Sequence, residues 1–225
     1  LKKLSDSGVL ICIVTARSPS ASVHFYEQLG IVNNSIICFN GALIQTNNKT
    51  LCEITIDNAI ALKVINILKR YQISPSVYRR YDWFGESQDR WINEEIEITN
   101  STFTKVNFNK LFSQNIQPNK LLGIAEPAKI NAAEAHLKNS GFNDLNIHKS
   151  KSTYLEIMNN KASKRKKKKK LLEMIDIDPE KIITIGDNYN DIDMLRFSKT
   201  SVAMGNAPDE VKKFATYITD TNNDE

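Results

Sequence analysis

The chain lacks the features of a membrane-spanning or disulfide-bonded protein. No apolar run in its 225 residues approaches the ~20 residues that a helix needs to cross a bilayer, and no signal-peptide pattern is visible. The three cysteines, Cys12, Cys38 and Cys52, have no metal-ligand spacing, and two of them lie in apolar, strand-like runs. Such a sparse, odd set is typical of reduced thiols. We therefore expect a cytoplasmic protein with no membrane partner.

The chain also lacks a generally basic character, although its formal net charge is +4. The run KRKKKKK at 164–170 supplies seven of the 30 basic residues, and the 23 that remain face 26 acidic ones. A solvated helix face is the plainest interpretation of the run, and a tether to nucleic acid or another acidic surface is the alternative. Because the rest of the chain is mildly acidic, we expect no nucleic-acid partner.

Helices and strands alternate at both ends of the chain, which predicts an α/β protein with a parallel sheet and helices on both faces. Apolar, β-branched runs predict strands at 9–14, 35–39, 181–185 and 201–204, and a hairpin over 42–56. The middle of the chain, 57–154, has its own strands and helices and predicts an inserted α+β domain. The core domain would then comprise 1–56 and 155–225.

Capping patterns predict where two of the helices begin. Ser18-Pro19 is typical of an N-cap followed by a first helical residue, and Gly30 would end that helix. Asp57 is the expected N-cap of an amphipathic helix that carries Ile60, Val64, Ile67 and Leu68 on one face.

Polar residues suited to bind a phosphate or a metal follow four of the predicted strands. These residues are Thr15 and Arg17, then Asn40 and Gly41, then Asp187, Asn190 and Asp191, and finally Gly205 and Asn206. If the four strands are parallel in one sheet, their turns lie on the same edge, where open α/β sheets bind ligands. Two carboxylates beside an anion site suggest Mg²⁺ bridging to phosphate. Each residue alone also has a structural interpretation, as a turn, a helix cap or a partner of a helix dipole.

This ordered set resembles the motifs of the haloacid dehalogenase (HAD) superfamily of phosphatases, in the Cof-type subclass with a type IIB cap. GDNYND at 186–191 matches the fourth motif, GDxxND; VTAR at 14–17 matches the second; and Lys164 matches the third-motif lysine. FNGA and AMGNA match two further stretches that are common in Cof-type members. The resemblance covers essentially the whole chain and implies a HAD-like Rossmannoid parallel sheet with an inserted α+β (type IIB) cap.

The resemblance also implies an activity, the Mg²⁺-dependent hydrolysis of phosphoric monoesters through an aspartyl-phosphate. Thr15 would donate a hydrogen bond to the phosphoryl group, and Lys164 would neutralise the charge shared by nucleophile and phosphate. Asp187 and Asp191 would hold Mg²⁺, and Asn190 would hold the phosphate or the aspartate loop. The expected phosphate- and substrate-binding set is completed by Arg17, Asn40, Gly41 and Asn206. The expected substrates are small phosphorylated metabolites such as sugar phosphates.

One part of the family pattern has no counterpart in the chain, namely the first motif, an apolar strand ending in DxDGT. Its nucleophilic Asp and acid–base Asp are therefore missing, and we expect a fragment that is inactive by itself. A non-catalytic remnant, or a protein that binds an anion or a partner, is the alternative. Trp83, Phe84 and Trp91 would line a substrate pocket in the cap or belong to the core of the cap. The oligomeric state is left open.

Overall fold

The computed structural model describes residues 1–31, 35–46, 49–162 and 178–224. The chain forms two compact units, Leu1–Ala162 and Ser163–Glu225. Lys164 and the basic run 164–170 lie outside the described residues. Within the described ranges, none of the helices combines the length and the apolar character that a membrane span requires.

The first unit opens with a short helix, α1 (Lys2–Asp6), and a four-stranded sheet in the order β1-β2-β3-β4. Its strands are β1 (Cys12–Val14), β2 (Ser35–Cys38), β3 (Leu43–Thr46) and β4 (Lys49–Glu53). β1 lies at the edge and pairs in parallel with β2, and helix α2 (Val23–Leu29) connects the two. The β2, β3 and β4 strands are antiparallel, which confirms the predicted hairpin.

Two predictions for this region are wrong. β1 spans three residues rather than 9–14, and α2 begins after Ser22 rather than at Ser18-Pro19. The Ser18 hydroxyl accepts a hydrogen bond from the Ala21 amide at 3.3 Å, and the Ser22 hydroxyl donates to the Ser18 carbonyl at 2.9 Å. These local side-chain bonds hold the segment in a turn, because a serine that bonds to nearby backbone competes with helix formation.

A six-stranded sheet forms the larger part of the first unit, in the order β7-β6-β5-β8-β10-β9. Its strands are β5 (Ser74–Arg79), β6 (Asp82–Gly85), β7 (Phe103–Lys105), β8 (Lys120–Ile124), β9 (Leu145–Lys151) and β10 (Tyr154–Asn159). All neighbours pair antiparallel except β6 and β7. The helices are α3 (Asn58–Arg70), α4 (Arg90–Thr99), α5 (Phe108–Ser113) and α6 (Pro127–Lys138). The predicted domain boundary between 154 and 155 falls after the first residue of β10, whereas the whole of β10 (Tyr154–Asn159) belongs to this sheet. The division of the chain into a core domain and an inserted domain stays a prediction.

Asp57 caps α3 as predicted, since its Oδ1 accepts hydrogen bonds from the amides of Ala59 at 2.9 Å and Ile60 at 3.2 Å. The apolar side of α3 packs with α5 and α6 on one face of the six-stranded sheet, in a cluster that includes Val64, Leu68 and Leu121. This packing follows from the 3.6-residue period of the helix and the two-residue period of the strand.

The opposite face of the six-stranded sheet packs against the four-stranded sheet. This second cluster includes Phe39, Trp83, Leu122 and Met158. Leu121 and Leu122 are neighbours in β8 but belong to different clusters, as the pleat of a strand buried on both faces requires. Trp83 is 1% exposed and its ring stacks on Tyr78, with centroids 5.5 Å apart. It therefore belongs to the core, which was the structural interpretation of this residue.

The second unit contains a three-stranded parallel sheet made of β11 (Ile183–Gly186), β12 (Thr200–Ala203) and β13 (Tyr217–Ile218). Two short helices, Ile192–Leu195 and Asp209–Lys212, follow β11 and β12. Leu195, Ala203 and Val211 form its small apolar core. β11 lies at the edge of this sheet, and its Ile183 and Ile185 side chains are exposed.

A buried polar network ties β4 to the start of β8. Asn119 is fully buried; its Oδ1 accepts from the Arg80 amide at 2.8 Å, and its Nδ2 donates to Glu53 Oε1 at 3.2 Å and to the Ile54 carbonyl at 3.1 Å. Glu53 also accepts hydrogen bonds from the guanidinium groups of Arg79 and Arg80. One amide thus connects the four-stranded and the six-stranded sheets.

We expect Asn119→Ala to lower the free energy of unfolding of the first unit by about 2–4 kcal/mol, because three polar partners lose their hydrogen bonds at a buried position. Urea denaturation followed by tryptophan emission measures this, since both tryptophans, Trp83 and Trp91, lie in this unit. Asn139→Ala is the matched control, because Asn139 is exposed. Equal midpoints for the two variants would contradict the structural role of Asn119.

We also expect acid to weaken the same network. Burial tends to raise the pKa of Glu53, but hydrogen bonds from Arg80 and Asn119 and the charges of Arg79 and Arg80 outweigh it and hold this pKa below its usual value of 4.5. A carboxyl with a depressed pKa stabilises the fold above about pH 4.5, and this stabilisation is lost as the pH falls through the lower, folded-state pKa. Glu53→Gln should therefore flatten the fall of unfolding free energy below about pH 4.5, whereas a variant at the exposed Glu97, Glu97→Gln, should keep the wild-type slope.

Candidate active site

The segment after β1 is bonded through its backbone to the end of β2. The Thr15 amide donates to the Ile37 carbonyl at 2.8 Å, the Asn40 amide to the Thr15 carbonyl at 3.2 Å, and the Phe39 amide to the Arg17 carbonyl at 3.2 Å. The Thr15 hydroxyl accepts a hydrogen bond from the Arg17 amide at 3.1 Å. Parallel pairing of β1 with β2 thus brings Thr15 and Asn40 together at one strand edge, as predicted from the sequence.

Three consecutive residues in this turn have positive φ angles: Phe39 at 51°, Asn40 at 53° and Gly41 at 104°. Such a conformation costs free energy in a bulky residue and persists where surrounding packing fixes it. Phe39 is fully buried in the core cluster and supplies that packing. The Asn40 Oδ1 atom is buried without a hydrogen-bond partner among the described residues. Contacts within the turn therefore do not explain this side-chain amide.

A cavity of about 150 Å³ lies between the Ala16–Ser18 segment and the six-stranded sheet. Its lining includes Lys120, Tyr154 and Glu156 from the sheet and Glu95 from α4. Lys120 Nζ donates to the Ala16 carbonyl at 3.4 Å and lies 3.8 Å from Glu156 Oε1. The Tyr154 hydroxyl donates to Glu95 Oε2 at 2.7 Å.

The ionisable groups of this cavity have shifted pKa values. Burial raises the pKa of Tyr154, and the hydrogen bond to Glu95 raises it further. Burial also tends to raise the pKa of Glu156, but the nearby Lys120 ammonium, with Ser150 and His148, holds it below the usual value. At neutral pH the Tyr154 hydroxyl is therefore protonated and the Glu156 carboxyl is ionised, as is usual for these groups.

Our sequence interpretation did not identify this cavity. A signal was present, because Lys120 and Glu156 are charged residues placed inside the apolar strand runs KLLGI and YLEIM. A charged residue in a strand that is buried on both faces needs a partner or a function. The sequence alone did not reveal that these two strands are neighbours in the sheet.

The turn after β11 is built around Asp191. Asp191 is 8% exposed, and its Oδ2 accepts hydrogen bonds from the amides of Asp187 and Asn188, both at 3.3 Å. A Cβ atom at Gly186 would lie only 2.6 Å from the Asp191 Cβ atom, so the turn requires glycine there. This arrangement leaves the side chains of Asp187 and Asn190 exposed at the carboxyl end of the strand.

The turn after β12 lies on the same edge of this sheet, since Gly186 is paired with Ala203 in a parallel register. Gly205 has no room for a side chain, because its Cβ would lie 2.7 Å from the Thr219 carbonyl oxygen. The Asn206 Oδ1 atom accepts a hydrogen bond from the Asn222 amide at 3.1 Å. Asn206 thus holds the chain that follows β13 and has its own side chain at the surface.

The carboxylates of the β11 turn are suited to Mg²⁺. This ion is usually held by one or two carboxylates, while phosphate oxygens and water complete its octahedral shell. Asp187 and Asp191 provide two carboxylates within one turn. In the described part of the chain, no group of three or more His, Cys, Asp or Glu side chains is arranged as a metal site.

The predicted site residues therefore occur in two sets. Thr15, Arg17, Asn40 and Gly41 lie at one strand edge of the first unit, and Asp187, Asn190, Asp191 and Asn206 lie at one strand edge of the second. That the two sets meet at one site stays a prediction, as does the role of Lys164, which lies outside the described residues.

Comparisons with known proteins match the full length of the chain. A family model described as haloacid dehalogenase-like hydrolase matches residues 1–225. A Haemophilus influenzae protein named "Putative phosphatase" is 29% identical over 228 residues, which cover 100% of this chain and 85% of that protein.

Solved structures agree with this match. A haloacid dehalogenase-like hydrolase from Bacteroides thetaiotaomicron has a TM-score of 0.91 at 25% identity, covering 99% of this chain and 85% of that one. A HAD subclass IIB sugar phosphatase has the same fold, with a TM-score of 0.77 at 16% identity over 97% of this chain and 83% of its own. The predicted fold class, a HAD-like α/β fold with a type IIB cap, is confirmed. The chain belongs to the haloacid dehalogenase-like hydrolase family, as a phosphatase of the Cof type.

Proposed function

We propose that the protein is a cytoplasmic, Mg²⁺-dependent phosphatase of small phosphorylated metabolites, such as sugar phosphates, that acts through an aspartyl-phosphate. The observation that carries this proposal is the turn after β11, where Asp191 binds two backbone amides and leaves the Asp187 carboxylate exposed at the strand end. Phosphoryl transfer depends chiefly on positioning and on neutralising charge, and this turn carries an anionic side chain on a backbone that Asp191 holds in place.

The first unit supplies groups that bind the phosphoryl oxygens. The Thr15 hydroxyl accepts from the Arg17 amide and keeps its own proton to donate to a phosphoryl oxygen. The exposed Arg17 guanidinium and the Asn40 side-chain amide lie on the same strand edge and can bind further phosphate oxygens or the ester oxygen. Gly41 lets the backbone approach the ligand closely.

The second unit supplies the metal ligands. When bound, Mg²⁺ neutralises charge on the nucleophile and the transferring phosphoryl group. Asp187 would contribute a carboxylate oxygen directly, and Asp191 would fix the turn and orient bound water. Asn190 would hold the phosphate or the nucleophile loop, Asn206 would help to shape this edge, and Lys164 would neutralise the remaining negative charge.

We expect Asp187→Asn to lower Mg²⁺-dependent kcat/KM by about 100-fold, because a hard cation that provides ~3 kcal/mol of charge stabilisation loses an anionic oxygen ligand. Steady-state hydrolysis of an aryl phosphate over a range of Mg²⁺ concentrations measures this in a form of the protein extended at Leu1 by an apolar strand ending in DxDGT. Asp193→Asn is the matched control, because Asp193 is exposed on the next short helix. Equal Mg²⁺ dependence in the two variants would show that Asp187 is not the metal ligand.

We expect residues 1–225 by themselves to hydrolyse no aryl phosphate above the uncatalysed rate. Thr15, Lys164 and Asp187 can bind phosphate and metal, but none is a nucleophile with an acid–base partner. The extended form should gain turnover, and an extended form whose first DxDGT aspartate is Asn should not. Turnover by residues 1–225 without the extension would contradict this and would point to another nucleophile. A well-folded extended form without turnover would favour the non-catalytic alternative.

A further inference from the structure

The cavity of the first unit contains two charged side chains that its internal contacts do not explain. Lys120 and Glu156 have side chains that are only 8% and 7% exposed, on neighbouring strands β8 and β10. Their closest charged atoms, Lys120 Nζ and Glu156 Oε1, are 3.8 Å apart, which is too long for a hydrogen bond. Among the described residues, Glu156 Oε2 has no hydrogen-bond partner, and His148 Nε2 lies 3.9 Å away.

A structural ion pair would not be built in this way. Burying two charges is unfavourable unless short contacts and further hydrogen bonds satisfy both ions. In the described part of the chain, the ammonium makes one long hydrogen bond, to the Ala16 carbonyl at 3.4 Å, and the Oε2 atom of the carboxylate has no hydrogen-bond partner. Both side chains line the cavity beside the Ala16–Ser18 segment. Both residues therefore belong to the wall of a space in which a ligand could complete their hydrogen bonds.

We propose that Lys120 and Glu156 form the specificity-determining pair of this cavity and bind adjacent hydroxyl groups on the polyol part of a phosphate ester. A hydroxyl group both donates and accepts, so one member of a diol can donate to Glu156 Oε2 while it or its neighbour accepts from Lys120 Nζ. The inference rests on the proposed function only for the phosphate end of the ligand, which would lie at Thr15 and Arg17.

The remaining lining of the cavity favours a neutral polyol over a zwitterion. Lys120 and Glu156 already balance each other in charge, and a neutral ligand leaves that balance intact. A ligand carrying an ammonium and a carboxylate would have to desolvate two more charges at a buried site. Of the nine other polar residues of the lining, three are charged, namely Arg17, Glu95 and Lys151, and six carry hydroxyl groups, namely Ser18, Tyr78, Thr99, Ser101, Ser150 and Tyr154.

The same lining is poorly suited to a planar aromatic ligand. Of its two aromatic rings, Tyr78 already stacks on Trp83 with an interplanar angle of 9°, and Lys120 Nζ lies 5.2 Å from the centroid of the same ring. The Tyr154 ring has Lys151 Nζ at 4.6 Å from its centroid. These contacts occupy ring surface that a flat heterocycle would need for stacking.

A matched pair of six-carbon ligands tests the inference on residues 1–225 without relying on turnover. Sorbitol 6-phosphate and hexyl phosphate share the phosphate and the chain length, but only the first has hydroxyl groups. We expect calorimetric titration to give at least tenfold tighter binding of sorbitol 6-phosphate, and saturation-transfer NMR to detect its carbon-bound protons in the complex. Glu156→Gln should abolish the tenfold preference, and Glu97→Gln on α4 should keep it. Pyridoxal 5′-phosphate and O-phosphoserine should show no dependence on Glu156.

The double variant Lys120→Met/Glu156→Leu separates recognition from stability. Replacing a poorly satisfied buried pair by apolar residues of similar size is often neutral or stabilising, so this variant should melt at or above the wild-type temperature and still lose the preference for sorbitol 6-phosphate. A marked fall in melting temperature would assign the pair a structural role and overturn the inference.

Further outcomes would also overturn it: equal affinity for the two ligands, no detectable binding of sorbitol 6-phosphate, or a Glu156-dependent preference for pyridoxal 5′-phosphate or O-phosphoserine. The phosphatase proposal fails separately, when the extended form releases no phosphate although the Glu156-dependent preference is present.

Discussion

The main-chain hydrogen bonds between the Thr15–Arg17 segment and the end of β2 are the constraint on which the rest of the first unit depends. They restrict the backbone of the turn at Phe39, Asn40 and Gly41, which has positive φ angles at these three successive positions. Strain of this kind persists only where packing over-determines it, and burial of Phe39 does so. The same bonds fix the Ala16 carbonyl, which is the acceptor for Lys120. The core of the unit therefore positions both the expected phosphate-binding edge and one wall of the cavity.

The second unit reaches a comparable result by a different route. Its turn after β11 is not strained; instead, Asp191 acts as an internal acceptor for two amides, and the absence of a side chain at Gly186 lets it approach. A buried carboxylate that binds amides has little freedom to move, whereas the Asp187 carboxylate is exposed. The GDNYND sequence thus combines one acid that shapes the backbone with another whose carboxylate is exposed, and the two acids of the motif are not equivalent.

Much of this architecture could be predicted from the sequence, because it depends on local patterns. The Asp57 cap, the apolar face of α3 and the hairpin of β3 and β4 each follow from residues within one or two turns of chain. The late start of α2 could not be predicted, since Ser18 and Ser22 stabilise a turn at a place where Ser-Pro is typical of a helix N-terminus. The strand-end residues were predicted as one set from their order along the chain, and that they form one site stays a prediction. The cavity was not, because Lys120 and Glu156 are far apart in sequence and meet only through the pairing of β8 with β10.

Lys120 links the two parts of the first unit chemically as well as sterically. Its ammonium is shared between the carbonyl of Ala16, on the segment that follows β1, and Glu156, on the six-stranded sheet. Neither contact is short enough to satisfy the ion alone, so its position responds to any change in the distance between segment and sheet. A ligand hydroxyl placed between Lys120 and Glu156 would strengthen both partners' hydrogen bonding while the segment keeps its contact with Lys120. If the proposed ligand binds there, its ester group and the segment that carries Thr15 would be coupled through the Lys120 side chain, and the cavity would then act on a phosphate at the strand edge as well as select its ester group.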